Sequence, residues 1–306
     1  MTYESDNPFE FINFEPESFL VPPTDGFIRR LLGARWGLFL VSAPDNTLLS
    51  PVLDFLANYS LQMAYYSEFS TEIGEFEHLE REERKIHTLD EIIDEAKHAV
   101  VDEQENNGSE NGDLVRHIPR NPECVFLPEI ENVKVNDAIE AALSGRLVVS
   151  GIKAQGSFSA LQTFRHLVGS DHLAAASLMG ILGLNTVARI CPHCRIRVER
   201  EVSSESYELL GIEEKSIISY RGAGCKECEY TGYEGKILIH EGFELSEKIR
   251  SYLLESVSPR SLRMTAKREG MNTLLDSAWD LVDQGETTLE EVIRIAEVTD
   301  PGKNDD

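Results

Sequence analysis

The stretch from Cys124 to Ser150 reads CVFLPEIENVKVNDAIEAALSGRLVVS. CVFL is a short, unbroken apolar run ended by Pro128, too brief for a helix and bounded as a strand buried on both faces would be. From Val135 to Leu143 the apolar spacing becomes helical, and Gly145 stops it. Leu147 to Ser150 is again an apolar run and a further strand. Two strands joined through a helix lie parallel in one sheet, because only a crossover connection brings the chain back in the same direction. Cys124, alone in its run, is read as a small core residue of the first strand.

Toward the amino terminus the same alternation continues. Gly37 to Ser42 (GLFLVS) is a buried strand, preceded by a short helix at Phe27 to Leu32 and followed by a helix from Val52 to Leu61. The expected fold class is α/β, a mostly parallel sheet flanked by helices over residues 27–188. Residues 1–26 place Pro8, Pro16, Pro22 and Pro23 among acids and aromatics, the composition of an extended tail or docking segment. Glu68 to Asp113 holds 16 acids against four bases and ends in NNGSENGD, so an acidic, solvated insertion with one helix at Leu89 to Val101 is expected there. Near Ala188 to Cys191 the core hands over to a smaller module at 189–299, with a short tail at 300–306. In that module Ser246 caps one helix, Ser258 with Pro259 opens another that Gly270 closes, and Thr288 with Glu291 forms a capping box for the last.

Four cysteines stand out in it. Cys191 and Cys194 in CPHC, then Cys225 and Cys228 in CKEC after a gap of 30 residues, form two CxxC knuckles. Each knuckle turns two thiolates toward one ion, and two together complete a tetrahedral sulfur shell of a structural zinc. The alternatives are four ordinary buried cysteines or two disulfides. His193 is read as a filler of the first knuckle. A closed shell leaves no position for water, so the metal is expected to fold the chain and not to catalyse.

Charge narrows the partners. With 29 basic and 54 acidic residues the net charge is −25, which repels nucleic-acid phosphates and suits a basic partner surface. No basic, apolar leader follows Met1 and no run reaches 18 apolar residues, so a cytoplasmic protein without a membrane span is expected.

At this point the residues resemble the secretion ATPases that drive type II secretion and type IV pilus assembly. Family members read DPDVIMVGEIRD and AALTGHLVLSTLHTND; this chain reads NPECVFLPEIEN (Asn121 to Asn132) and AALSGRLVVSGIKAQG (Ala141 to Gly156). CPHC, RGAGCKECEYTGYEGK (Arg221 to Lys236) and MNTLLDSAWDLVDQGETTLEEVIRI (Met271 to Ile295) continue the likeness through the family's zinc and helical region. The resemblance implies a P-loop, RecA-like core, and nothing here resembles the amino-terminal domain that precedes the core in family motors. It also implies hexameric rings on an inner-membrane platform protein, at the inner face of the cytoplasmic membrane.

The nucleotide loop departs from the family. Its GPTGSGK followed by Ser or Thr maps onto Ala43 to Ser50, APDNTLLS. Such a loop binds phosphate because glycines let successive N–H groups curl round it, a lysine reaches the outer phosphates and a hydroxyl holds magnesium. Here Ala43, Asn46 and Leu48 replace the glycines, Leu49 replaces the lysine, and only the hydroxyl remains, as Ser50. Pro51 removes an N–H near the helix start, and Asp45 adds negative charge where a triphosphate would sit. Glu129 matches the Walker B glutamate, but Pro128 and Glu131 replace its flanking glycine and arginine; Lys153 and Gln155 replace the histidine-box His and Asn. No arginine lies between Arg35 and Arg81, so the family's acidic box and its arginines have no clear counterpart beyond Glu68.

The expectation is therefore a pseudo-ATPase: a catalytically inactive subunit, structural or regulatory, in a mixed ring with an active paralogue or on the platform alone. A dismantled phosphate loop beside an intact zinc and helical module is not what random decay would leave, since decay would spoil both. The alternative is an active ATPase that binds ATP and magnesium in another pose through Ser50, Lys153 and Glu129. A third reading is an adaptor whose acidic segment recruits a basic partner.

Overall fold

The computed structural model describes residues 12–13, 24–70, 86–87, 124–130, 134–201, 210, 216–255 and 257–299. The rest of the expected tails, most of the acidic insertion with its helix at Leu89 to Val101, and Glu131 lie outside the described residues; of Glu68 only the helical backbone is described.

The strand, helix and strand of the deciding stretch are β4 (Cys124–Leu127), α3 (Val135–Leu143) and β5 (Leu147–Lys153). Ahead of them come β1 (Ile12–Asn13), α1 (Thr24–Leu32), β2 (Gly37–Ala43), α2 (Asn46–Ser70) and β3 (Ile86–His87). After them follow α4 (Ser157–Val168), α5 (Asp171–Ser177), β6 (Leu178–Ile190), β7 (Arg195–Glu201), β8 (Ser216–Gly222) and β9 (Tyr233–Glu244). Four helices close the chain: α6 (Glu247–Leu254), α7 (Pro259–Arg268), α8 (Leu274–Asp283) and α9 (Leu289–Thr299). No helix among the described residues is long and apolar enough to cross a membrane.

Seven strands form one sheet in the order β1-β9-β6-β2-β5-β4-β3, and every neighbouring pair is parallel except β6 with β9. β2 is buried at all seven residues because both faces are covered. Leu38 and Leu40 join Val125, Val148 and helices α3 to α7 on one face; Phe39 and Val41 join Cys124, Val149 and helices α1 and α2 on the other. A third cluster gathers α8 and α9 around Val187 of β6 and Ile239 of β9.

The chain does not turn helical directly after the second knuckle. It returns as β9, which pairs with β6 from Gly180–Glu244 to Ile190–Tyr233. The knuckles and the β7–β8 ribbon are thus an excursion from the main sheet, out along β6 and back along β9, and a continuous sheet crosses the expected boundary at Ala188 to Cys191. The caps at Ser246 and Ser258 form, each hydroxyl accepting from the N–H three residues on. Glu291 acts differently from the capping box expected of it. Its carboxylate accepts from the Ala188 N–H at 3.0 Å and from Arg294, tying α9 to the end of β6.

Candidate functional site

At the carboxyl ends of the central parallel strands, the place where open α/β sheets bind ligands, the mapped residues can be located one by one. β2 ends at Ala43 and α2 begins at Asn46, so the strand, turn and helix of a phosphate loop are all present. What fills the turn is Asp45. Its carboxylate accepts from the N–H of Thr47 at 3.0 Å, the N–H of Leu48 at 3.3 Å and the Thr47 hydroxyl. These bonds, led by the hydroxyl, hold the carboxyl below its ordinary value. The amides that a phosphate would need are engaged by the chain's own anion.

Leu49 is fully buried, with its side chain against Gly151 of β5. Ser50 is exposed on α2, and among the described residues no hydrogen bond ties it to Glu129 or Lys153. Those two do meet: Lys153 Nζ lies 2.8 Å from Glu129 Oε2. The ends of the strands are drawn together around them, the Ala154 N–H donating to Ala43 O at 2.9 Å and the Ile130 N–H to Gly151 O at 2.7 Å. The pair is partly exposed and adds little stability, but each charge satisfies the other. Helix-start amides already capped by Asp45, a buried Leu49 and a Lys153 that faces a carboxylate do not fit the phosphates of a bound nucleotide.

The four cysteines converge. Sγ–Sγ separations are 3.8 Å for Cys191 and Cys225, 3.9 Å for Cys194 and Cys228, and 3.7 Å for Cys225 and Cys228. A tetrahedral zinc with bonds of about 2.3 Å requires sulfurs about 3.8 Å apart. All four are free thiols, so the disulfide alternative falls, and together they could hold a metal ion. Burial pushes Cys191 up to about 12, whereas the Cys225 N–H donating to its sulfur at 3.3 Å, with a second bond from the Gly232 N–H, brings Cys228 down to about 6. His193 is exposed and outside the cluster.

One further residue had no signal in the pattern of the chain. Glu241, on β9 and 5% exposed, receives the Ser157 N–H and Oγ at 2.7 Å each and the Leu274 N–H at 3.1 Å. Only its place within a strand, unread from a segment mixing glycine and charge, could have marked it as buried.

Comparison with known proteins supplies the family. The family described as Type II/IV secretion system protein matches residues 74–294. The chain is 32% identical over 180 residues to the type IV pilus assembly ATPase PilB of Thermus thermophilus, a match covering 57% of this chain and 20% of PilB. It is 31% identical over 182 residues to the type II secretion system ATPase E of Vibrio cholerae, covering 58% and 35%. For TfpB, a type IV pilus assembly ATPase of Acinetobacter baylyi, the values are 30% over 194 residues, covering 61% and 32%. The matches therefore span between 20% and 35% of these relatives. Among solved structures, the ATPase DotB of Yersinia pseudotuberculosis shares the fold at TM-score 0.52 and 10% identity, over 93% of this chain and 63% of that one. DotB of Legionella pneumophila gives 0.52 and 11%, over 94% and 67%. A family match across residues 74–294, together with these relatives, means that the chain belongs to the Type II/IV secretion system protein family.

Proposed function

We propose that this chain is a pseudo-ATPase of the type II secretion and type IV pilus assembly ATPase family, with a P-loop, RecA-like core that no longer hydrolyses ATP. The observation that carries this reading is Asp45, whose carboxylate caps α2 through the Thr47 and Leu48 amides where the relatives' loop would hold phosphate. Its role is structural or regulatory, in a ring with an active paralogue or on the inner-membrane platform protein, in the cytoplasm at the membrane's inner face. Cys191, Cys194, Cys225 and Cys228 hold a structural zinc in this reading, a role supported by the sulfur spacing.

A second reading, an active ATPase using Ser50, Lys153 and Glu129, is favoured by one feature, a lysine at the carboxyl edge. Against it stands the 2.8 Å pairing of that lysine with Glu129. Calorimetric titration of the zinc-loaded protein with ATP and magnesium separates the two. The pseudo-ATPase gives no heat and no thermal stabilisation at millimolar ATP, in the parent or in Glu129→Gln. Micromolar binding that is lost in Lys153→Ala would replace the first reading with the second.

A further inference from the structure

Glu241 is a buried carboxylate that no part of the preceding reading uses. Oε1 accepts both the N–H and the hydroxyl of Ser157 at 2.7 Å, and Oε2 accepts the N–H of Leu274 at 3.1 Å. Ser157 is the first residue of α4 and Leu274 the first of α8. One anion therefore sits at two helix N-termini, taking from each a first amide that no carbonyl of its own helix serves, at a positive dipole end. α4 packs beneath the sheet in the first core cluster, and α8 belongs to the third.

The surroundings are cut to this contact. A Cβ on Gly156 would lie 2.8 Å from Glu241 Oε1 and 3.2 Å from Leu274 Cδ1. One on Gly183 of β6 would lie 2.5 Å from the Ser157 nitrogen and 3.1 Å from Glu241 Cγ. Both positions keep the backbone close enough for the carboxylate to reach two helices. The loop entering α4 is held from β6 as well: buried Asn185 donates to the Gln155 carbonyl at 3.2 Å. That loop begins at Lys153, on the candidate site.

We infer that Glu241 is a coupling joint, through which the loop from Lys153 to Ser157 at the carboxyl edge and the carboxy-terminal helices α8 and α9 sense each other's position. With the carboxylate 5% exposed, water cannot replace a lost donor. Moving α4 therefore changes how the same group holds α8, and the two helix starts are not independent. Whatever binds at the edge, a partner protein or a nucleotide, would be felt at α8 by this route, so the inference does not rest on the pseudo-ATPase reading.

The experiment perturbs one side and reads the other, by amide hydrogen exchange on the full chain. Ser157→Ala removes the hydroxyl donor without touching α8. Exchange at Leu274 to Ser277 is expected to rise about threefold or more, the consequence of weakening one charge-assisted bond. In a Glu241→Gln background, where both helix starts already exchange faster, adding Ser157→Ala produces no further rise at α8. Unchanged exchange at Leu274 to Ser277 in Ser157→Ala would overturn the joint, as would an equal increment in the Gln background. Should Glu241→Gln fail to fold, Gly183→Ala, which displaces the Ser157 nitrogen, serves as the second perturbation. Faster exchange at α4 alone would then also overturn the inference.

Discussion

Leu49, read in the sequence as the replacement for a phosphate loop's lysine, has its side chain sealed against Gly151 with no exposure. Restoring the lysine would therefore place an ammonium in the core and not on a phosphate. Leu49→Lys is expected to cost several kcal/mol, the penalty of an unpaired buried charge, and to give no ATP binding; urea melts with a nucleotide titration check both parts. Stable protein that binds ATP would show the core reading of this position to be wrong. Asp45 yields a prediction with a pH signature. Its carboxyl is held below its ordinary value, chiefly by the Thr47 hydroxyl, so its contribution is complete above the unfolded value and is lost as pH falls through the folded one. Asp45→Ala should destabilise by about 1 kcal/mol at neutral pH, as loss of an N-cap does, and the deficit should shrink in acid, as pH falls through the lowered folded value. An equal deficit at both pH values would mean that the charge does not cap the helix. In the sequence Asp45 was readable as an unwelcome charge beside phosphate. That it serves as the cap was not, because the same residue type serves either role and only the Thr47 and Leu48 contacts decide.

The knuckles show how elements lean on a backbone contact. Gly222 ends β8, and a Cβ there would lie 2.0 Å from the Gly232 carbonyl oxygen. That carbonyl accepts from the Cys191 N–H at 3.0 Å, and the Gly232 N–H donates to Cys228 Sγ at 3.2 Å, so Gly232 touches both knuckles. Gly222→Ala is expected to lower zinc affinity about tenfold or more, as loss of an outer contact to metal ligands does, measured by competition with a chromophoric chelator. Affinity equal to the parent's would separate the ribbon from the site. Cys225→Ser should go further and unfold the knuckle segment, since metal binding is part of its folding free energy; retained metal and an unchanged melt would argue against a four-sulfur site. The CxxC spacing made the cluster legible, and β2, β4 and β5 were legible because strands buried on both faces are unbroken apolar runs. β6 and β9 were not. Gly180 and Gly183 interrupt β6 where Phe243, Leu31 and Ser157 approach too closely for a side chain, and the first residues of β9, Tyr233 to Lys236, are exposed. Their strand character comes from pairing with each other, a long-range effect that local spacing does not record.

At the scale of the whole molecule, the pairing of β6 with β9 decides whether the chain behaves as one unit or two. The excursion that carries the cysteines leaves and rejoins the same sheet, α6 and α7 pack in the first core cluster with Leu38 and Val148, and α8 and α9 rest on the far ends of β6 and β9. Arg294 reaches the Thr186 carbonyl at 2.5 Å and the Thr287 hydroxyl the Ala188 carbonyl at 2.7 Å, adding polar ties at that end. Few contacts would have to cross a true domain boundary; here a full antiparallel ladder does. The chain contains two tryptophans, placed to test this: Trp36 precedes β2 and is half exposed, and Trp279 lies on α8, partly buried in the third cluster. Trp36→Phe and Trp279→Phe each leave one reporter, one for the sheet and one for the carboxy-terminal helices. In urea the two fluorescence transitions are expected to coincide in midpoint and slope, the signature of a single cooperative unit. Stripping the metal should move both together, because the knuckles are anchored at Ile190 and Tyr233, within the main sheet. A Trp279 transition that precedes that of Trp36, or responds alone to the chelator, would show that the helices and the knuckles melt as a separate unit despite the shared strands.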